Sequence, residues 1–221
     1  MKIGIMGGTF DPIHNGHLML GEYAYRQYHL DEIWYMPNGN PPHKSNAAIE
    51  AKSRNRVEMV KRAIEGIPYF VLQPYEIENP TIHYSYKTME HFKEVYPEHE
   101  FYFIIGADSL FSLEKWKCPE KLLKTCIILA ACREDKGTKD MLSQIEYLNK
   151  KYHADIRFLN TPSVEISSTE IRKKLKEGIS IKGLVPETVL EYLRENQLFE
   201  DGENESTEAG KNEKTGSELL R

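Results

Sequence analysis

The segment "GGTFDPIHNGHL", residues 7–18, joins a short apolar run to a stretch with helical spacing. The run before it, residues 3–6, is typical of a buried strand, and Leu18, Leu20 and Tyr23 after it follow the period of a helix. Open α/β folds bind their ligands where the end of a strand leads into a helix. The segment therefore predicts both a fold class and the position of a ligand site.

Strand-like and helical patterns alternate along the rest of the chain. Several strand-like runs are continuously apolar or β-branched, which is typical of strands that are covered on both faces. The predicted strands are residues 2–6, 32–36, 69–77, 100–106, 126–132 and 155–160. The predicted helices are residues 17–29, 50–66, 84–95, 119–124, 138–152, 168–177 and 186–196. This alternation predicts an α/β fold with a doubly wound, mostly parallel sheet and helices on both faces.

The composition is that of a globular protein with an acidic tail. Of the 221 residues, 40% are hydrophobic and 29% are charged, which allows a large core in a single domain over residues 1–199. Residues 200–221 are acidic and offer few core-forming side chains, so we expect them to be disordered and dispensable. The net charge of −5 argues against a general nucleic-acid surface but allows a small, locally positive pocket.

Compartment signals point to the cytoplasm. No stretch approaches the roughly 18–20 apolar residues of a membrane span, and the first residues lack the pattern of a signal peptide. The spacing of Cys118, Cys126 and Cys132 matches neither a disulfide framework nor a CxxC metal site. We therefore expect reduced thiols and no membrane partner.

The opening segment carries the ingredients of a phosphate site without a P-loop or a dinucleotide fingerprint. Gly7 and Gly8 allow the backbone to approach a ligand closely and to offer N–H groups. His14 and His17, three residues apart, can project on the same side of a helix whose N-terminus favours an anion. Two other interpretations stay open for these residues: zinc ligation, although no third ligand has an obvious spacing, and the capping of a turn.

A second motif, "EISSTEIRKKL", covers residues 165–175. Ser167 and Glu170 fit a capping box, so the motif could simply start a helix. Ser168 and Arg172 would then lie beside free N–H groups of that helix start, where hydroxyls and a guanidinium make a second anion site.

Together the two motifs resemble a known superfamily of nucleotidyltransferases, which carries an HxGH signature early and an SSTxxR-type motif late. The likeness to bacterial nicotinate-nucleotide adenylyltransferases is closer, because "DEIWYMPNGNPPHK" (31–44), "FIIGADSL" (103–110) and "ISSTEIR" (166–172) follow in the family's order. The resemblance covers roughly residues 1–198 and implies a Rossmann-like nucleotidyltransferase fold.

The resemblance implies that the adenylyl group of ATP is transferred to the phosphate of nicotinate mononucleotide, giving deamido-NAD and pyrophosphate. Mg²⁺ would arrive with ATP, so the family needs no metal ligands in the protein, and a homo-oligomer is allowed. The implied catalytic residues are His14, His17, Lys44 and Arg172. The implied ATP-binding residues are Gly7, Gly8, Thr9, Phe10, His14, His17, Gly106, Asp108, Ser167, Ser168 and Arg172. The implied mononucleotide-binding residues are Lys44, Thr88, Trp116 and Arg133.

Simpler interpretations stand beside these roles. Lys44 could be a solvated loop lysine, Asp108 a turn residue at a strand end, and Trp116 a core side chain. Lys87 stands where the family often has an acid, which affects the detail of the mononucleotide pocket rather than the reaction.

Alternative functions come from inside and outside the superfamily. A phosphopantetheine adenylyltransferase or a cytidylyltransferase would share the two motifs. A class I aminoacyl-tRNA synthetase would need a lysine-rich loop and an anticodon-binding domain, for which 221 residues leave little room. A nucleotide-sensing module without catalysis is the alternative of a different class.

Overall fold

A computed structural model describes residues 1–39, 47–79, 83–133, 137–162 and 166–199. Within these ranges, six strands form one parallel sheet, which confirms the predicted fold class. The strands are β1 (Lys2–Gly8), β2 (Glu32–Pro37), β3 (Phe70–Leu72), β4 (Glu100–Gly106), β5 (Ile127–Arg133) and β6 (Ile156–Thr161). The helices are α1 (Asn15–Tyr28), α2 (Ala47–Ile64), α3 (Tyr75–Glu78), α4 (Ser85–Val95), α5 (Ala107–Ser112), α6 (Pro119–Thr125), α7 (Thr138–Tyr152), α8 (Ser168–Lys176) and α9 (Glu187–Glu195).

The strand order, β3-β2-β1-β4-β5-β6, places a topological switch point between β1 and β4. The chain builds outward from β1 to β3, and then returns to place β4 on the free side of β1. Gly7 lies beside Met36 of β2, while Ile5 lies beside Phe103 of β4. The carboxyl ends of β1 and β4 therefore border the crevice where a doubly wound sheet binds its ligand.

Both faces of the sheet are covered, as the continuously apolar strands predict. Along β1, Ile3 and Ile5 pack into the core on one face, and Met6 packs into the core on the other. Each fully buried side chain of this size contributes about 1.5–3 kcal/mol of hydrophobic free energy. A Cβ at Gly4 would lie 2.6 Å from Cδ1 of Ile33 on the neighbouring strand β2, so a larger residue at Gly4 would force the surrounding core side chains to shift.

The structure differs from the sequence prediction at two short segments. The predicted strand 69–77 is shorter, because the pairing ends where the Gln73 amide donates to the Tyr35 carbonyl. Pro74 has no N–H to continue the ladder, and it precedes the one-turn helix α3. After β4, α5 and a 3-10 turn over Leu113–Lys115 form a stretch for which the sequence predicted no element.

Three further expectations concern the cysteines, membrane segments and the acidic tail. Cys118 and Cys126 are free thiols, whereas the side chain of Cys132 lies outside the described part of the structure. No helix among the described residues has the length and apolar character needed to cross a bilayer. The acidic tail, residues 200–221, lies outside the described ranges, so its predicted disorder stays a prediction.

Candidate active site

A cleft of about 340 Å³ opens at the switch point, at the carboxyl edge of the sheet. Its floor is formed by the ends of β1, β2 and β4, and its walls come from four helices and the segment after the 3-10 turn. The lining residues are Met6, Gly7, His17, Leu20, Met36, Asn38, Glu76, Ser85, Phe103, Ile104, Ile105, Gly106, Ser109 and Trp116. We call this space the switch-point cleft.

The two histidines of the opening segment stack on each other at the start of α1. Their ring centroids are 3.6 Å apart with an interplanar angle of 20°. His14 is buried at the N-cap position, and a Cβ at Gly16 would lie 3.1 Å from its Nδ1, so a larger residue would press on the ring. Phe10 packs edge-on against His17, with its centroid 5.0 Å away. His17 is thus held from two sides while it faces the cleft.

The backbone determines which nitrogen of His17 carries the proton. The amide of His14 donates to Nδ1 of His17 over 3.2 Å, so Nδ1 is the acceptor and a neutral ring carries its proton on Nε2. Burial, with a smaller contribution from the neighbouring His14, lowers the pKa of His17 to about 3. Burial also lowers the pKa of His14 to about 4, against the effect of a backbone hydrogen bond. Near pH 7 both rings are neutral, and His17 is a hydrogen-bond donor rather than a cation.

Within the described residues, no group of three His, Cys, Asp or Glu side chains is arranged to hold a metal ion. The hydrogen bond to Nδ1 gives His17 a different local role, as a residue tied to the start of α1. Nothing in this geometry favours the zinc interpretation.

The late motif packs directly onto the opening segment. Ser167 caps α8, since its hydroxyl accepts from the Glu170 amide, as the sequence predicts. Nη1 of Arg172 donates to the Asp11 carbonyl over 2.7 Å, and the Ser168 hydroxyl donates to the Pro12 carbonyl over 2.9 Å. The fold thus joins two motifs that are about 150 residues apart in sequence, and the N-termini of α1 and α8 meet at one loop.

Two basic residues of α2 complete this side of the site, and sequence reasoning missed both. Lys52 forms an ion pair with the buried Asp11, with Nζ 3.1 Å from Oδ2. Buried Arg56 donates from Nη1 to the carbonyls of Thr9 and Asn38, at 3.0 and 2.9 Å. Arg56 follows the helical period of the buried Met59 and Val60, so an arginine on an apolar helix face was the available signal.

The end of β4 contributes the opposite wall. Gly106 lines the cleft with no atom within 4 Å of where its Cβ would be, and Asp108 is exposed in the first turn of α5, next to the lining residue Ser109. Trp116 is half-buried, lines the cleft and meets Phe103 edge-on with centroids 6.4 Å apart. The structure therefore does not enclose Trp116 in the core.

Helix α4 and the residues before it form the third side. Ser85, at the start of α4, lines the cleft together with Glu76. Thr88 is buried behind them, and its hydroxyl donates to Oε1 of Glu76 over 2.9 Å. Lys87 is exposed on α4, with Nζ 6.0 Å from the centre of the Tyr84 ring. Sequence reasoning chose Thr88 and missed Ser85 and Glu76, because nothing in the pattern distinguishes the hydroxyl that faces the cleft.

The remaining predicted site residues divide into two groups. Thr9 is exposed, and the Phe10 side chain is buried beneath His17, so only its backbone is left to meet a ligand. Lys44 lies outside the described residues, as does the side chain of Arg133 at the end of β5. The roles predicted for Lys44 and Arg133 stay predictions.

A comparison with known protein families shows the class to which the protein belongs. A family model described as cytidylyltransferase-like matches residues 5–174, from β1 into α8. This range begins within β1, contains strands β2 to β6, and includes the opening segment and nearly all of the late motif. The fold and the site are thus those of a nucleotidyltransferase.

Sequence relatives narrow the class to one family. The chain is 43% identical over 198 residues to a probable nicotinate-nucleotide adenylyltransferase of Lachnoclostridium phytofermentans, covering 90% of this chain and 98% of the relative. It is 40% identical over 200 residues, with the same coverage, to a probable nicotinate-nucleotide adenylyltransferase of Clostridium botulinum. The chain belongs to the nicotinate-nucleotide adenylyltransferase family.

Solved structures agree with this fold at low sequence identity. The nicotinic acid mononucleotide adenylyltransferase of Plasmodium falciparum, complexed with NaAD, superposes with a TM-score of 0.72 at 23% identity, covering 90% of this chain and 97% of that chain. The same protein complexed with APC gives a TM-score of 0.70 at 22% identity, covering 90% and 96%. These likenesses show the fold.

Proposed function

We propose that the protein transfers the adenylyl group of Mg–ATP to the phosphate of nicotinate mononucleotide, forming deamido-NAD and pyrophosphate. The observation that carries the proposal is the presence of His17 and Trp116 in one cleft, beside the contact between the two phosphate motifs. A hydrogen-bond donor for phosphate and a flat aromatic ring for a heteroaromatic base are what the two substrates require. Substrates of this kind fit a cytoplasmic enzyme.

The acceptor phosphate is already a nucleophile, so the reaction does not require the protein to activate one of its own side chains as a nucleophile. An acceptor oxygen attacks the α-phosphorus of ATP, the bond from that phosphorus to the bridging oxygen breaks, and pyrophosphate leaves with the electron pair. Catalysis then consists of alignment and of stabilising charge on the phosphoryl oxygens.

The residues around the opening segment match that requirement. Nε2–H of His17 is available to donate to a phosphoryl oxygen, because Nδ1 is occupied by the His14 amide. Arg172 uses one N–H of Nη1 for the Asp11 carbonyl, and other N–H groups of its guanidinium can donate to a phosphate. The N-termini of α1 and α8 add the positive ends of two helix dipoles. A neutral donor beside fixed cations stabilises developing negative charge without a proton transfer.

The acceptor half of the cleft suits the mononucleotide. Trp116 offers an aromatic face at the rim, where the pyridinium ring can stack. Ser85 opens α4 on the same cleft, and a hydroxyl at a helix N-terminus favours a carboxylate. Stacking on Trp116 serves either pyridine nucleotide, and the N-terminus of α4 with Ser85 is the feature that favours nicotinate over nicotinamide.

Mg²⁺ enters in this proposal as part of the Mg–ATP substrate. The carboxylates Asp11 and Asp108 fit that role poorly as resident ligands. Asp11 is buried against Lys52, and among the described residues no group of three His, Cys, Asp or Glu side chains could hold a metal ion. An ion held mainly by phosphates and waters is the usual binding mode of Mg²⁺ with nucleotides.

Position-specific labelling of ATP tests the reaction. With nicotinate mononucleotide as acceptor, label on the α-phosphate should appear in deamido-NAD, and label on the γ-phosphate should appear in pyrophosphate. Free phosphate carrying the γ label would instead indicate hydrolysis, and γ label on the mononucleotide would indicate phosphoryl transfer. With either result as the main outcome, the proposal would be wrong. The His17→Ala variant serves as the blank for contaminating activities.

A further inference from the structure

A buried carboxylate, that of Glu76, joins two separate walls of the switch-point cleft. Its Oε1 accepts from the hydroxyl of Thr88 in α4 at 2.9 Å, and its Oε2 accepts from the amide of Gly39 after β2 at 3.2 Å. Only 7% of Glu76 is exposed, yet the residue lines the cleft. A carboxylate with a donor on each oxygen is a fixed spacer between the two segments.

The segment that Glu76 grips is also held from its other side. The Asn38 amide donates to the Gly8 carbonyl at 2.8 Å, and the Asn38 carbonyl accepts from Arg56. At Gly39 an added Cβ would lie 2.4 Å from the backbone carbonyl oxygen of Glu76, so the two backbones are in direct contact there. The Asn38–Gly39 segment is therefore clamped between the opening segment and α3.

We infer that Glu76 is a positioning residue that sets the geometry of the acceptor side by fixing Asn38–Gly39 against α4, with Thr88 as its partner. Asn38 and Ser85, the cleft residues on these two segments, are aligned through it. Thr88 then acts behind the cleft wall rather than as a contact of the substrate. The inference relies on the proposed function only for the identity of the acceptor.

Two pairs of variants separate hydrogen bonding from size. Glu76→Leu removes both acceptors, while Glu76→Gln keeps one for Gly39 and can donate to the Thr88 hydroxyl, which also accepts. Thr88→Val removes the hydrogen bond to Oε1 of Glu76 at nearly constant side-chain shape, and Thr88→Ser retains this bond. The Gln and Ser variants should therefore resemble the wild type, and the Leu and Val variants should not.

Amide exchange tests the clamp without any activity measurement. In the free protein, the Gly39 amide proton should exchange about tenfold faster in Glu76→Leu, because its acceptor is lost, and should stay slow in Glu76→Gln. The amide of Ile128, which donates to the backbone carbonyl of Asp155 in the distant β5–β6 region, is the internal reference. Unchanged Gly39 exchange in Glu76→Leu overturns the inference, even if the proposed reaction proves wrong.

Kinetics test the consequence for catalysis. Glu76→Leu should raise KM for nicotinate mononucleotide about tenfold and Thr88→Val a few-fold, with KM for ATP within about twofold of the wild type. Equal increases of both KM values would indicate general damage and contradict a role confined to the acceptor side. A Glu76→Gln variant as impaired as Glu76→Leu would contradict the hydrogen-bonding role.

Tyr102→Phe is the matched control for lost stability. It removes another hydroxyl-to-carboxylate hydrogen bond, from Tyr102 to Glu100 at 2.8 Å, near the amino end of β4 and away from the cleft. Thermal unfolding is followed for every variant. Tyr102→Phe should lower the unfolding temperature without changing either KM, and a KM change of the same size as in Thr88→Val would overturn the inference.

Discussion

The two sides of the switch-point cleft are built by different means. On the phosphate side, Arg172, Ser168 and Arg56 all donate to backbone carbonyls of the opening segment. The acceptor side is assembled from short elements: the four-residue α3, the first turn of α4 and the segment after a 3-10 turn. One buried carboxylate, that of Glu76, joins two of them.

This difference follows from what each side has to do. Stabilising charge on a transferring phosphoryl group requires donors that are fixed before the reaction, and cross-links to the backbone provide this. Recognition of a base and its substituents needs surfaces with a particular shape, which short segments supply. We therefore expect the phosphate side to control kcat and the acceptor side to control KM for the mononucleotide.

The largest expected effect is that of His17→Ala on the phosphate side. Loss of a fixed donor to the transition state should lower kcat by about 10²–10³, equivalent to about 2.7–4 kcal/mol. His17→Gln keeps a side-chain N–H near the position of Nε2 and should recover part of the loss. Steady-state rates of pyrophosphate release measure both variants. Full activity of a folded His17→Ala protein would exclude the assigned role.

A smaller effect is expected for Arg172→Lys, about 10- to 100-fold in kcat/KM for ATP. Lysine retains the charge but cannot reach the Asp11 carbonyl and a phosphate in the same planar geometry. A charge-assisted hydrogen bond of this kind is worth about 1.5–3 kcal/mol. Kinetics with ATP as the varied substrate check the prediction, and a change confined to KM for the mononucleotide would contradict it.

On the acceptor side, Trp116→Leu should raise KM for nicotinate mononucleotide about fivefold to tenfold at nearly constant kcat. Stacking of an aromatic ring contributes about 1–3 kcal/mol per base, and leucine keeps only part of the apolar contact. Trp116→Phe is the matched variant, and its KM for nicotinate mononucleotide should lie between those of the wild type and Trp116→Leu. If Trp116→Leu lowered kcat and left KM unchanged, the division between the two sides would be wrong.

The smallest expected effect is that of pH on kcat between about pH 6 and 8. The pKa of His17 is lowered to about 3 and that of His14 to about 4, so neither ring titrates in this range. A pH–rate profile should be nearly flat there as far as these groups are concerned. A rate that rises as the pH falls through 6.5 would instead identify a protonated histidine as the active form.

The same groups make stability sensitive to acid. In the unfolded chain the two histidines regain the ordinary pKa of 6.5, so below that pH the unfolded state binds protons that the folded state excludes. Their stabilising contribution is present above pH 6.5 and is lost as the pH falls towards 4. Thermal unfolding at pH 7 and pH 5 should show a smaller loss for His17→Gln than for the wild type.

The phosphate side was more accessible to sequence reasoning than the acceptor side. His14, His17, Ser167 and Arg172 lie in two short motifs whose chemistry is visible in the residue types, and helix N-termini complete it. The alternation of strand-like and helical patterns was enough to predict the sheet, because buried parallel strands have continuous apolar runs. The short α5 after β4 shows no comparable periodicity.

Residues that act through burial were not accessible in this way. The apolar helix face around Arg56 predicts its burial but not its partners, and Glu76 looks like an ordinary charged residue. Only the fold shows that both bond to the same segment, Asn38–Gly39. Ser85 and Thr88 lie on the same face of α4, but Ser85 begins the helix and lines the cleft, whereas Thr88 is buried about one turn further along. Such assignments depend on tertiary contacts that a single sequence does not contain.

Adenylyl transfer to nicotinate mononucleotide is tested most directly by acceptor-dependent pyrophosphate release from Mg–ATP with the purified wild-type protein. Nicotinate mononucleotide, nicotinamide mononucleotide and phosphopantetheine are compared at equal concentrations. We expect rapid release with nicotinate mononucleotide and much slower release with the other two. Preferred use of another acceptor, or binding of ATP without release in all three reactions, would contradict it.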